Sequence, residues 1–191
     1  LFLTSPEWYY LLVLSWVVIF LVWLVITFID LRHYIIPNEL NILLAIFGIA
    51  VSALLFFHQE ALPIFSGSFM KHYALLFSPT DGFLMNRLLG VLAGGAFFGL
   101  LSVLGRGKAM GMGDVKLALA SGLVFGWPDL GLVILLSFVI GGLWGMGLIL
   151  AKRKGMLDRV PFAPFFIIAS VLTVFLGYPM VGYYFRLFGI F

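Results

Sequence analysis

Residues 8–29 read WYYLLVLSWVVIFLVWLVITFI, and residues 30–37, which follow directly, read DLRHYIIP. The first stretch carries no charged residue and has the length of about 20 apolar residues that a helix needs to cross a bilayer. No basic region precedes it, and it ends in Asp30-Leu31-Arg32 rather than a small-residue cleavage site. It therefore reads as a retained spanning helix and not as a signal-peptide core. The first residue is Leu1 rather than Met, so a preceding segment is expected.

The same pattern recurs along the chain. A second helix begins after Pro37, a residue suited to a first helical turn, and apolar runs predict helices over 8–29, 38–57, 82–104, 114–125, 130–151 and 161–178. The hydrophobic fraction is 63% and the charged fraction 10%, against roughly 45–50% and 25% in soluble domains. The expected fold class is all-α membrane, a polytopic bundle of about six transmembrane helices forming one domain over 1–191. Residues 58–81 contain Pro63, Gly67, Lys71, His72 and Pro79 and read as a long loop with an interfacial segment. Glycines at 90, 94, 95 and 99, and at 141, 142, 145 and 147, let helix backbones approach closely in lipid.

With the amino end outside, the inner face receives Arg32, Arg106, Lys108, Lys116, Lys152, Arg153, Lys154 and Arg159, and the outer face only Lys71, Arg87 and Arg186. That asymmetry fixes the orientation by the positive-inside rule. The net charge of +3 forms no basic stripe for nucleic acid. Absence of cysteine excludes disulfides, zinc–thiolate sites and a thiol nucleophile. His33, His58 and His72 lie in separate contexts, unlike the converging ligands of a metal site. Neither metal nor cofactor is expected.

Asp30 closes the first helix and Asp114 opens the fourth, which places both at one face after two intervening passes. Alone, Asp30 reads as a helix-end residue and Asp114 as an N-cap; together they read as a pair. Two carboxylates sharing a proton can activate water and polarise a peptide carbonyl, and mutual repulsion separates their pKa values. Gly111-Met112-Gly113-Asp114 permits a tight turn and close backbone approach, or else is a flexible capped loop. From helix ends alone, Asp30 at a negative end carries the proton, and Asp114 at a positive end is the base.

Ile29-Asp-Leu-Arg-His-Tyr-Ile-Ile-Pro-Asn-Glu-Leu-Asn41, Gly111-Met-Gly-Asp-Val-Lys-Leu117 and Arg159-Val-Pro-Phe-Ala-Pro-Phe165 resemble, in this order, three motifs of the bacterial type IV prepilin peptidases, which are GxGD-type intramembrane aspartic proteases. The resemblance implies that Asp30 and Asp114 are catalytic. Gly111, Gly113, Lys116, Pro37 and Glu39 are the expected substrate-binding residues, with Glu39 and Asp158 facing a basic leader. The implied substrates are prepilin or pseudopilin precursors, cut at the cytoplasmic face of the inner membrane. Many such enzymes also methylate the new amino terminus and carry a cysteine-rich insert that this sequence lacks. The chain is therefore expected to be a peptidase core, with S-adenosylmethionine a partner only if methyl transfer is present. The rival reading is a proton- or cation-coupled transporter or channel subunit using the same aspartates.

Overall fold

Hydrocarbon offers no partner to a backbone N–H or C=O, so a chain this apolar must pair those groups within its own helices. The computed structural model describes residues 7–58, 67–80, 82–105, 110–152 and 160–189, and every regular element among them is helical. In chain order these are α1 (Glu7–His33), α2 (Asn38–Phe57), a 3₁₀ turn (Lys71–Tyr73) running into the single turn α3 (Ala74–Phe77), α4 (Phe83–Leu104), α5 (Met112–Phe125), α6 (Asp129–Leu150) and α7 (Ala163–Leu187). Five of them, α1, α2, α4, α6 and α7, are long and apolar enough to span a membrane. The protein is a multi-pass membrane protein.

The helix predicted over 114–125 is present but short. α5 has 14 residues, about 21 Å at 1.5 Å per residue, against a hydrocarbon core of about 30 Å. The 67–80 segment covers its far end. Phe69 packs on Phe125 with ring centroids 5.8 Å apart, and the Trp127 indole N–H donates to the Phe77 carbonyl at 2.8 Å. Irregular backbone is tolerated at such depth because it is buried in protein.

Two charged residues tie this cover down. The Arg87 guanidinium donates to the carbonyls of Val124 and Gly67; the Asp129 carboxylate accepts from the Ser68 hydroxyl at 2.8 Å and the Phe69 N–H at 2.9 Å. Arg87, counted above among outer-face charges, is thus buried, because five fixed donors suit it to gather backbone carbonyls. A second difference lies in α7, which continues through Pro179 to Leu187. Loss of one N–H is offset there by packing: a methyl group at Gly177 or Gly182 would lie 3.5 Å from the Phe69 carbonyl oxygen or 3.2 Å from the Tyr73 hydroxyl.

Close backbone contact holds α4 to α5. A methyl group at Gly90 would stand 2.6 Å from the Gly126 carbonyl carbon, and one at Gly122 would stand 2.6 Å from the Val91 backbone. A methyl group at Gly142, Gly145 or Gly147 of α6, or at Gly99 of α4, would by contrast meet nothing within 4 Å; the packing role expected for glycine applies to Gly90, Gly94, Gly95 and Gly141 and fails for these four. Gly90→Ala and Gly122→Ala should each destabilise the fold by about 1–3 kcal/mol through overpacking, while Gly145→Ala should be neutral or slightly stabilising. Thermal unfolding in detergent checks this, and equal midpoints for all three variants would refute the α4–α5 contact.

Candidate active site

The end of α1, the starts of α2, α5 and α7, and the end of α4 meet at one end of the bundle. α1 runs through Asp30 to His33 and is closed by Tyr34, whose φ of 57° is left-handed and whose N–H reaches the Asp30 carbonyl at 2.9 Å. An αL residue is a common way to stop a helix, although it is usually glycine. Asp30 is buried, and its Oδ2 accepts the Ala163 N–H at 3.1 Å. Ala163 opens α7, and Pro164 beside it has no N–H to offer. Residues 161–165 of the third motif thus present a single helix-start donor to the first motif.

α5 begins at Met112, two residues ahead of the expected start, so Asp114 is not its N-cap. The side chain instead reaches back, with Oδ2 accepting the Gly111 N–H at 3.2 Å, which is the acidic half of a capping box. Burial first, and then the charge of Asp30, push the Asp114 carboxyl up to about 6, against the pull of backbone N–H groups of Gly111 and Asp114. The two aspartates therefore share one electrostatic environment, as like-charged neighbours do.

The other expected residues divide. Gly113 is close-packed, since a methyl group there would stand 3.1 Å from the Ile36 Cβ; its missing side chain admits the α1–α2 link. Gly111 has extended backbone and room for a methyl group, so neither φ nor space requires glycine. Lys116 is exposed, and its ammonium donates to the Asn38 Oδ1 at 2.7 Å, latching α5 to the start of α2. Pro37 is the N-cap of α2, and Glu39 lies exposed in its first turn. Asp158 and Arg159 lie outside the described residues.

Three supporting groups escaped sequence reading. They are the Ala163 N–H, the Ser102 hydroxyl, which donates to the Met110 carbonyl at 3.2 Å, and the Asn41 amide, which approaches the Gly113 carbonyl at 3.5 Å. Only the first had a signal, in the Pro-Phe-Ala-Pro helix start. The described residues include no group of three or more His, Asp or Glu able to hold a metal.

Fold and site together define a class: helical membrane proteins that draw two aspartates from separate helices to one end of the bundle. Residues 16–146, which include both aspartates, match the sequence profile of the type IV leader peptidase family. The chain belongs to that family. It is similar to the prepilin leader peptidase/N-methyltransferase of Aeromonas hydrophila, at 30% identity over 188 residues covering 94% of this chain and 54% of the relative. The protein of that name from Aeromonas salmonicida (strain A449) is 28% identical over 182 residues, with the same coverage. That of Bacillus subtilis (strain 168) is 32% identical over 114 residues, 60% of this chain and 45% of the relative. The chain spans about half the length of the curated relatives it matches. No solved structure matches it.

Replacing Asp30 by Asn removes the neighbouring charge but leaves Asp114 buried. The Asp114 titration midpoint should therefore fall below about 6 without reaching the ordinary value of 3.8, because burial is the larger cause. Infrared titration of the carboxyl band in Asp30→Asn protein measures it. An unmoved midpoint would mean that the two groups do not sense each other.

Proposed function

We propose that this chain is an aspartic endopeptidase that removes the leader from type IV prepilins or pseudopilins, with Asp30 and Asp114 as its catalytic pair and 1–191 as one transmembrane peptidase domain. The observation that carries this reading is the convergence of two aspartates from α1 and α5, in a chain of the type IV leader peptidase family. In the proposed reaction the ionised carboxylate takes a proton from water, and the water oxygen adds to the scissile carbonyl carbon. The protonated carboxyl gives its proton to the carbonyl oxygen. Collapse of the tetrahedral intermediate breaks the C–N bond, and the amine leaves with the proton taken from water.

The two carboxyls hold the shared proton as a coupled pair, with a backbone N–H bonded to each of them. At Asp30 the negative end of α1, which favours the proton there with Asp114 as the base, is opposed by the start of α7, whose Ala163 N–H and positive helix end face it. The surplus of basic residues on the aspartate side supports an inner-membrane enzyme with its site toward the cytoplasm. Exposed Glu39 is available to a basic leader there, whereas Lys116 serves the latch to Asn38. A transporter would hold its site nearer the bilayer midplane, and the end position of both aspartates speaks against one. S-adenosylmethionine would enter only with methyl transfer, which the relatives' names include and which is not extended to this chain.

Purified protein in detergent should cleave a prepilin precursor. Asp30→Asn and Asp114→Asn should each reduce the rate by about 10²–10⁴-fold, the range for loss of an acid or base group, and Glu39→Gln by far less. Full cleavage by either Asn variant would end the assignment. Cleavage should also persist in EDTA, because among the described residues the donors needed for a metal site of three or four ligands do not converge. Loss on chelation with recovery on adding zinc would demand a metalloprotease mechanism instead.

A further inference from the structure

A cavity of about 540 Å³ lies at the end of the bundle opposite the aspartates, bounded by Met70 and Phe77 of the covering segment, by Trp127 and by faces of α6 and α7 that include Leu132, Val181 and Tyr184. Its size falls within the roughly 300–1,000 Å³ of small-molecule sites. Its α6 wall includes Gly131, whose missing side chain leaves room for the Trp127 ring, 3.0 Å from where a methyl group would stand. The lining is apolar apart from the Trp127 and Tyr184 ring polar groups. The indole N–H of Trp127 is already bonded to Phe77.

Its surroundings have the chemistry of a membrane interface. Trp8, Tyr9 and Tyr10 at the start of α1, and Tyr178, Tyr183 and Tyr184 near the end of α7, form the aromatic belt that settles at headgroup level. Lys71 follows the cavity-lining Met70 directly. Its ammonium lies 4.7 Å from the centroid of the Tyr178 ring, one helical turn from the cavity-lining Val181. His72 is exposed beside it, 5.4 Å from the same ring. The acidic groups described at this end are Glu7, at the start of α1, and Asp129, which is buried and bonded to Ser68 and Phe69. An apolar cavity with a cation at its rim matches a ligand with an apolar chain and an anionic head.

We propose that this cavity is a binding site for an anionic phospholipid, with one acyl chain between α6 and α7 and the phosphate beside Lys71. The site lies away from Asp30 and Asp114 and does not depend on what those residues cleave.

Native mass spectrometry of the detergent-purified chain with added phosphatidylglycerol or phosphatidylcholine tests it. The unsubstituted chain should retain phosphatidylglycerol preferentially. Leu132→Trp, which fills the cavity, should lose the retained lipid, and Lys71→Gln should lower the preference for phosphatidylglycerol about fivefold, the effect of one cation near an anionic headgroup. Retention by folded Leu132→Trp, or no headgroup preference in the unsubstituted chain, would overturn the site in favour of ordinary annular contact. Should Leu132→Trp fail to fold, dibromo-acyl phosphatidylglycerol decides. It should quench the fluorescence that distinguishes the unsubstituted chain from Trp127→Phe at lipid fractions where the phosphatidylcholine analogue does not, and equal quenching by both would overturn the proposal.

Discussion

The backbone contact between α4 and α5 is the constraint on which the rest of the bundle depends. Helices already in lipid gain nothing from hiding apolar surface, so their association rests on close packing and on hydrogen bonds between them. At Gly90, Gly94 and Gly122 the two backbones approach so closely that a methyl group would meet main-chain atoms within about the contact limit, and α5 is drawn into the centre. On its other flank the Ser52 hydroxyl donates to the Leu123 carbonyl at 2.7 Å, and Gly48 packs on Leu123 and Val124. The depth of α5 is thereby set from both sides. So is the height of Asp114, in its first turn.

The two ends of the bundle treat their charges differently. At the covered end, Asp129 accepts from a hydroxyl and a backbone N–H while Arg87 donates to two carbonyls; both charges are consumed in holding the 67–80 segment over α5. Removing one partner of such a buried arrangement leaves the other uncompensated, which is costly. At the opposite end, Asp30 and Asp114 bond to backbone N–H groups, and no other side chain among the described residues hydrogen-bonds to them. A carboxylate has about four lone-pair positions. Asp30 and Asp114 thus keep more of their acceptor capacity, whereas Asp129 uses more of its own in holding the cover.

Reading the sequence recovered what local patterns encode. Uninterrupted apolar runs mark the spanning helices, Pro37 marks the start of α2, and Gly-x-Gly-Asp marks the turn into α5. It misjudged features decided by tertiary contact. The helix predicted over 161–178 stops just before Pro179, yet packing of Gly177 and Gly182 on the covering segment accompanies the continuation of α7 to Leu187. Arg87 counts as an outer-face charge by topology, and nothing local shows the carbonyls of Gly67 and Val124 that receive it. Glycines of α4 and α6 look alike in the sequence, and only the neighbours they meet tell them apart.

The donor that reaches Asp30 shows most plainly why the site could be located but not fully described from sequence. Ala163 is 133 positions away, and its N–H is free only because the first turn of a helix leaves such groups without intrahelical partners. Asp30 is thus held from outside, by α7, while Asp114 is held by its own turn through Gly111. No direct bond ties one carboxylate to the other. Their separation is set by how α1 packs on α2 and α7 and how α2 in turn packs on α5. Electrostatic coupling between two such groups makes the proton a property of the pair rather than of either residue. A substitution that shifts α7 against α5 would therefore alter the chemistry of both aspartates while touching neither.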